Sequence, residues 1–164
     1  MPNRNTFDIP AIGKFVKHYL EQSKVSVDPY ARDKRWATYT NDLNPATGAE
    51  FHVDSIEFMH GLAEVGIVAD LVIIDPPYSP RQVKECYDSI GHKMKQDDAL
   101  LGKIRKRLKV EIARLVPVGG VVLTFGWNTV GMGLNHGYEQ EEILLVCHGS
   151  DHNDTICLAE RRVK

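Results

Sequence analysis

The sequence predicts an α/β fold with a mostly parallel sheet, and two patterns along the chain indicate it. Short apolar runs alternate with longer stretches whose apolar residues recur at helical spacing, as expected for strands connected by helices. Near the end of the chain, the runs 143–146 and 155–158 are joined by a turn-rich segment that is too short for a crossover helix. The sheet should therefore be parallel for most of its width and should end in an antiparallel hairpin.

Seven strands are predicted in total, with helical stretches before the first strand, between the third and fourth, and between the fourth and fifth. The predicted strands are 25–27, 37–39, 51–53, 71–74, 121–125, 143–146 and 155–158. The predicted helical stretches are 9–20, 56–63 and 79–115, the last of which contains an amphipathic helix over 98–115. The chain shows no internal repeat and no sign of a second domain, so we expect a single domain over residues 1–164.

The composition is that of an ordinary globular protein. With 164 residues, of which 43% are hydrophobic and 26% charged, the chain can bury a core without disulfide bonds. Three cysteines without paired spacing indicate reduced, mostly buried thiols and no metal site. Because the chain has no membrane-spanning apolar run and no signal-peptide core at its start, we expect an intracellular, cytoplasmic protein. The formal net charge of −2 means that binding to nucleic acid would need a local basic patch.

The most informative segment is the tetrapeptide Asp75-Pro76-Pro77-Tyr78, which directly follows the apolar run 71–74. A fully apolar run rich in β-branched residues is typical of a strand that is buried on both faces. The two prolines cannot donate ladder hydrogen bonds, so they end the strand. A carboxylate, a stiff turn and an aromatic ring are then left at the carboxyl edge of the sheet, where open α/β sheets bind ligands. This set of groups suits a planar base that carries an exocyclic amine.

Three further acids follow predicted strands, namely Asp28, Asp42 and Asp54. In a parallel sheet their carboxylates would open onto the same edge as Asp75. A nucleoside with an amino-acid tail offers an ammonium, two ribose hydroxyls and an adenine amine, all of which are donors that acids can accept. Each acid taken alone could equally be a turn residue or a helix cap.

Taken in order, these segments resemble the S-adenosylmethionine-dependent amino-methyltransferases, above all the DNA adenine-N6 and cytosine-N4 enzymes. The resemblance runs from the helix at residue 9 through the terminal hairpin, and it implies a Rossmann-like methyltransferase fold with a seven-stranded sheet. The turn 75–78 resembles the family's catalytic motif: Asp75 and the Pro76 carbonyl would accept the two N–H groups of the amine, Pro77 would stiffen the turn, and Tyr78 would stack on the base.

The same resemblance implies a set of cofactor contacts. Asp28 matches the acid of the first motif near the methionine tail, Asp42 the acid that holds the ribose hydroxyls, and Asp54 the acid that meets the adenine amine. The residues implied in cofactor binding are Asp28, Pro29, Tyr30, Asp42, Asp54, Ile56 and Phe58. The chain departs from the family at 31–34, where Ala-Arg-Asp-Lys stands in place of the glycines that follow the first motif.

Contacts to nucleic acid are predicted from three places in the chain. Two lie directly after the predicted strand ends at 74 and 125, and one is the basic outer face of the helix 98–115, whose cations could bind phosphates or simply be solvated. The candidate residues are Ser79, Arg81, Lys103, Lys106, Arg107, Trp127 and Asn128.

The resemblance implies transfer of a methyl group from S-adenosylmethionine to adenine N6 in DNA. Site-specific members carry a separate target-recognition domain, for which this chain has no room, so we expect low sequence specificity or recognition completed by a second subunit or a homodimer. Such compact enzymes resemble those of phages and mobile elements. Methylation of RNA bases or of cytosine N4, and a degenerate domain that binds nucleic acid or a partner without catalysis, remain open alternatives.

Overall fold

The computed structural model describes residues 5–91, 101–149 and 153–164. The strands in these ranges are β1 (Ser26–Asp28), β2 (Tyr39–Thr40), β3 (Leu71–Ile74), β4 (Val121–Gly126), β5 (Tyr138–Val146) and β6 (Thr155–Arg162). The α-helices are α1 (Pro10–Gln22), α2 (Ser55–Glu64), α3 (Pro80–Ser89) and α4 (Leu101–Leu115), and short 3-10 helices occur at Thr6–Asp8 and Leu134–His136.

The strands form one mixed sheet in the order β2-β1-β3-β4-β6-β5. The first four strands pair in parallel, and β6 pairs antiparallel with both β4 and β5. The α/β class and the antiparallel hairpin at the C-terminal end of the sheet are therefore confirmed.

The sheet has six strands within the described ranges, not the seven that were predicted. The predicted strand 51–53 contributes one isolated bridge, between Phe51 and Asn41. Pairing stops there because the N–H of Val53 donates to the Asn41 side chain instead of to a neighbouring backbone. Asp54 then caps α2, so the chain turns away from the sheet edge.

The sheet buries its two faces against different helices. In β3 the side chains alternate, so Leu71 and Ile73 join the cluster formed with α1, whereas Val72 and Ile74 join the cluster formed with α2 and α4. All four are 5% exposed or less, which confirms a strand buried on both faces.

The basic helix is described from Leu101 onward, so the predicted start at 98 lies outside the described residues. Its predicted apolar stripe is buried at Leu108, Ile112 and Leu115. Two of the cations expected on its outer face make structural contacts instead. Lys109 donates to the carbonyl of Met132, and Arg114 pairs with Glu64 and Glu111.

The cysteines are free and differ in exposure. Cys157 is buried, Cys86 is half-buried and Cys147 is exposed. The expectation of a buried thiol is therefore wrong for Cys147, because it follows the last residue of β5. In the parts of the chain that the structure covers, no helix is both long and apolar enough to cross a membrane.

Asn41 joins three segments at the carboxyl edge of the sheet. Its side chain is fully buried and donates to the carbonyls of Pro29 (3.2 Å) and Val53 (3.0 Å), and its Oδ1 accepts from the N–H of Val53 (3.0 Å). The Asn41 backbone adds bonds to Asp28 and Ala31. The loop after β1 and the segment before α2 are thus held by one amide side chain.

We predict that Asn41→Ala lowers the free energy of unfolding by roughly 3 kcal/mol, because three hydrogen bonds made by a fully buried side chain lose their partner. Urea denaturation measures the loss. Asn44→Ala is the matched control, since its side chain accepts from Ala46 at an exposed position and should lose no more than about 1 kcal/mol. Equal losses in the two variants would contradict the role given to Asn41.

Candidate active site

Three of the predicted acids converge at the carboxyl edge of the sheet. Asp28 is the last residue of β1, Asp75 follows β3, and Asp42 follows β2. The carboxylates of Asp75 and Asp42 are close enough to Asp28 to raise the pKa of its carboxyl group. The parallel strands therefore bring these acids together as the sequence predicts.

Asp28 lies deepest in this group, with 2% of its surface exposed. Its Oδ1 accepts a hydrogen bond from the N–H of Tyr30 at 2.9 Å. Burial raises the pKa of Asp28 well above its ordinary value, and the neighbouring carboxylates act in the same direction. A proton or a positively charged ligand at this position would relieve the unfavourable burial of charge.

The turn 75–78 is half-buried and held by side chains from two directions. The Tyr78 hydroxyl donates to Oδ1 of Asp75, and the Tyr78 N–H donates to Oε1 of Gln82 at 2.6 Å. The Thr6 side chain hydrogen-bonds at both Asp75 and Tyr78. The Tyr78 ring meets Trp127 edge to face, with 5.7 Å between ring centroids.

The protonation of Asp75 is set by opposing effects. Burial raises the pKa of its carboxyl group, whereas the hydrogen bonds from Tyr78 and Thr6 and the charge of Arg32 lower it. Burial and the adjacent carboxylate raise the pKa of Tyr78, so its hydroxyl stays protonated and remains a donor at neutral pH.

The connection between β1 and β2, residues 29–38, contains no helix, although parallel strands are usually joined through one. Arg32 lies in this loop with φ +51°, and it is the one non-glycine residue with a positive φ among those that the structure describes. Its N–H donates to Oδ2 of Asp42 at 3.2 Å. The glycine-free loop thus adopts at Arg32 a backbone conformation that glycine adopts easily.

Asp42 and Asp54 both accept hydrogen bonds from backbone N–H groups. Asp42 accepts from Arg32 through one oxygen and from the N–H of Asn44 through the other. Asp54 caps α2 by accepting from Ile56 at 2.9 Å and from Glu57 at 3.2 Å. The capping alternative that the sequence left open is therefore the contact seen at Asp54.

The other predicted cofactor residues divide between the edge and the core. Tyr30 lies near the acids, and its hydroxyl bonds Ser55 at 3.0 Å, while burial raises its pKa to about 12. The side chains of Ile56 and Phe58 are 8% and 5% exposed and belong to the core between the sheet and α2. Phe58 packs its ring against Phe51.

The predicted nucleic-acid contacts form two groups. Ser79 caps α3, Trp127 is 43% exposed beside Tyr78, and Asn128 accepts from the N–H of Val130. Arg81 is exposed and pairs with Glu85. The other group, Lys103, Lys106 and Arg107, is exposed on α4.

Two surface cavities lie apart from the turn 75–78. A cavity of about 400 Å³ between α2 and α4 is lined by Ile56, His60 and Arg107 among others. A cavity of about 340 Å³ lies between α1 and β5, beside Phe15 and Leu144.

Sequence reasoning missed Thr6, Arg32 and the packing of α3. Thr6 reaches Asp75 because the neighbouring Phe7 packs against Phe125 at the end of β4, with 5.3 Å between ring centroids. No local pattern signals a contact between residues so far apart in the chain. The packing of α3 had a weak signal in the sequence, since Val83, Cys86 and Tyr87 recur at the spacing of one helix face.

The sequence matches no protein-family model and no curated protein. The fold, however, is similar to solved methyltransferase structures. NSun6 from Pyrococcus horikoshii with SFG gives a TM-score of 0.56 at 14% identity, covering 90% of this chain and 50% of that one. The N-methyltransferase NodS from Bradyrhizobium japonicum WM9 with S-adenosyl-L-homocysteine gives 0.60 at 7% identity, covering 99% and 91%. An rRNA methylase from Streptococcus thermophilus gives 0.55 at 8% identity, covering 92% and 95%.

The chain therefore has the α/β, Rossmann-like fold of methyltransferases, and it spans about half the length of NSun6. SFG and S-adenosyl-L-homocysteine are analogues of S-adenosylmethionine. Their presence in structures of this fold is consistent with the cofactor that the sequence predicts.

We predict that Asp28→Asn raises thermal stability at pH 8 by at least about 3 °C, the shift that about 1 kcal/mol gives in a domain of this size. The folded-state pKa of Asp28 is raised, so wild-type stability falls as the pH rises above the unfolded-state pKa of about 3.9. The gain of the variant should therefore become small near pH 4, where Asp28 is protonated in the folded state and about half protonated in the unfolded state. Thermal unfolding followed by circular dichroism between pH 4 and 8 measures this.

The control is Asp33→Asn, an exposed position in the same loop, where only a small change in the midpoint temperature is expected. A gain for Asp28→Asn that is the same at pH 4 and pH 8 would contradict the burial of charge at Asp28.

Proposed function

We propose that the protein is an enzyme that transfers a methyl group from S-adenosylmethionine to an exocyclic amine of a nucleic-acid base, with adenine N6 in DNA as the first target. The observation that carries this proposal is the turn 75–78 at the carboxyl end of β3, with Asp75 beside Asp28 of the neighbouring strand. The methyltransferase fold supports the reaction class.

The methyl donor would bind along the ends of β1 and β2. Its sulfonium and ammonium groups are positively charged, and the acids at Asp28 and Asp42 offer the opposite charge. Asp42 would accept from the ribose, and Asp54 would face the adenine through the oxygen that does not cap α2. Because Asp28 is only 2% exposed, the segments packed around it have to separate for a cofactor to reach it.

The chemistry requires placement more than activation. The methyl group on a sulfonium is already electrophilic, so the enzyme has to align the amine nitrogen with the methyl–sulfur bond at about 3 Å. The amine lone pair is delocalised into the base. Acceptance of its N–H bonds by Asp75 and the Pro76 carbonyl would favour a pyramidal nitrogen and stabilise the charge that develops on it. The nitrogen–carbon bond would form as the methyl–sulfur bond breaks, S-adenosyl-L-homocysteine would leave, and the nitrogen would release one N–H proton to Asp75 or to water.

To bind Asp75, the base would have to replace the hydrogen bond that Tyr78 makes to this residue. In the structure the Tyr78 hydroxyl occupies Oδ1 of Asp75, and an incoming amine would replace that bond. Tyr78 could then stack on the base, with Trp127 as a second aromatic wall. A base in a duplex is paired through its amine, so it must be flipped out or already unpaired.

Phosphate contacts would come from the rim of the site and from α4. Ser79, Arg81 and Asn128 lie on segments that adjoin the catalytic turn or follow β4. The exposed cations at Lys103, Lys106 and Arg107 would add contacts without sequence preference. We expect low sequence specificity, or recognition completed by a second subunit or a homodimer.

The product identifies the target. After incubation with isotope-labelled S-adenosylmethionine and unmodified DNA, mass spectrometry of the digested nucleosides should show labelled N6-methyladenine. The same incubation with RNA is the comparison. Labelled N4-methylcytosine, or transfer to RNA alone, would replace adenine in DNA as the target, and nucleic-acid binding without any transfer would contradict the enzymatic proposal.

We predict that Asp75→Ala slows methyl transfer at least about 10³-fold, because the developing charge loses its acceptor. Its affinity for S-adenosyl-L-homocysteine should stay within about twofold of the wild type, since Asp75 is assigned to the base. Single-turnover kinetics and calorimetry measure the two quantities. Asp88→Ala is the control, because this acid pairs with Lys84 on the exposed side of α3. A large loss of cofactor affinity in Asp75→Ala would mean that Asp75 binds the cofactor and not the base.

A further inference from the structure

Arg32 has a backbone conformation that its residue type disfavours. A positive φ brings the Cβ atom close to the following carbonyl group, a strain that glycine avoids. Strained residues persist where the surroundings or the function require them, so an observed outlier is a reason to look for a role.

The backbone contacts of the loop do not explain why this position carries an arginine. The N–H of Arg32 donates to Asp42, and Ala31 and Lys34 close the turn through backbone hydrogen bonds. A glycine would make all of these bonds without strain. The reason for arginine at position 32 should therefore lie in its side chain.

The Arg32 side chain places a positive charge among the acids of the carboxyl edge. Its charge is close enough to lower the pKa of Asp75, and its guanidinium is within hydrogen-bonding reach of the Cys86 thiol on α3. The residue is also exposed, so a ligand that approaches the edge from solvent can reach it.

The proposed cofactor carries one group that the acids would repel. The methionine part of S-adenosylmethionine ends in an ammonium and a carboxylate, and the carboxylate cannot pair with Asp28, Asp42 or Asp75. A guanidinium matches a carboxylate with two parallel N–H bonds. An arginine beside these acids supplies the charge that is otherwise missing for this end of the cofactor.

We propose that Arg32 binds the α-carboxylate of the cofactor's methionine part, turning from Cys86 toward the ligand. This inference rests on the proposed function, because it takes S-adenosylmethionine as the ligand. The Arg32 side chain would then bind the methionine tail, because the backbone of this glycine-free loop offers little room for the cofactor to approach it.

The test is a calorimetric cycle of two ligands and two proteins without nucleic acid. The ligands are S-adenosylmethionine and its decarboxylated form, which differ in the carboxylate alone. Wild type should bind the decarboxylated ligand about 10- to 100-fold more weakly, the range expected for charge-assisted hydrogen bonds. Arg32→Gly should bind S-adenosylmethionine more weakly by a similar factor and should no longer distinguish the two ligands.

Variants at the same position keep the test independent of folding. Glycine and asparagine both tolerate a positive φ, so Arg32→Gly and Arg32→Asn should unfold at or above the wild-type temperature. Arg32→Lys should recover part of the discrimination. Arg35→Ala, which removes an exposed positive charge from the same loop, should bind both ligands as the wild type does.

The outcomes separate this inference from the proposed function. If wild type binds neither ligand, the proposed function fails and the inference fails with it. If wild type binds S-adenosylmethionine but Arg32→Gly and Arg32→Asn still prefer it to the decarboxylated form, the inference alone is overturned. Equal weakening toward both ligands would also overturn it, since Arg32 would then act by shaping the loop.

Discussion

The parallel pairing of β1 with β3 is the constraint on which the site depends. The register sets Val27 opposite Val72, so the two strands deliver Asp28 and Asp75 to the same edge within a few residues of each other. Burial raises the pKa of both carboxyl groups, and two ionised carboxylates so close together disfavour each other. The edge is thus poised to receive positive charge, which is the property that a sulfonium compound requires.

A network of polar side chains replaces the helix that would normally support this edge. The loop after β1 is held by Asn41 and Asp42, which bind backbone groups on either side of β2. The two-residue strand β2 contributes little pairing of its own, so these side-chain bonds fix the position of the loop. The precision of the site therefore rests on a few side-chain hydrogen bonds more than on apolar packing.

The parts of the fold that sequence could predict are those with strong local patterns. The run 71–74 is apolar at every position and ends at two prolines, so its burial and the position of Asp75 follow directly. The segment 51–53 is apolar only at Phe51 and Val53, and it forms one bridge because the side chain of Asn41 takes the hydrogen bond that a strand would have made. Tertiary packing decides whether a side chain or a neighbouring backbone takes such a hydrogen bond, and a short stretch of sequence carries no information on that packing.

In the candidate site, too, residues with a local sequence pattern could be predicted and residues placed by tertiary packing could not. The convergence of acids follows from the rule that parallel strands end at one edge, so Asp28, Asp42 and Asp75 could be grouped in advance. The capping role of Asp54 was one of two readings that the sequence allowed equally. Thr6 and Arg32 carried no signal, because their contacts depend on how a 3-10 turn and an irregular loop settle against the finished sheet.

The bond from Tyr78 to Asp75 has a consequence for how any ligand is selected at this corner. Oδ1 of Asp75 already accepts a hydrogen bond in the free protein. A donor that arrives there exchanges one hydrogen bond for another, so the total number of hydrogen bonds is unchanged. Little free energy can come from that exchange. Under the proposed function, discrimination at the corner would then depend on shape, that is, on how well the flat ring of the base fits beside Tyr78 and Trp127.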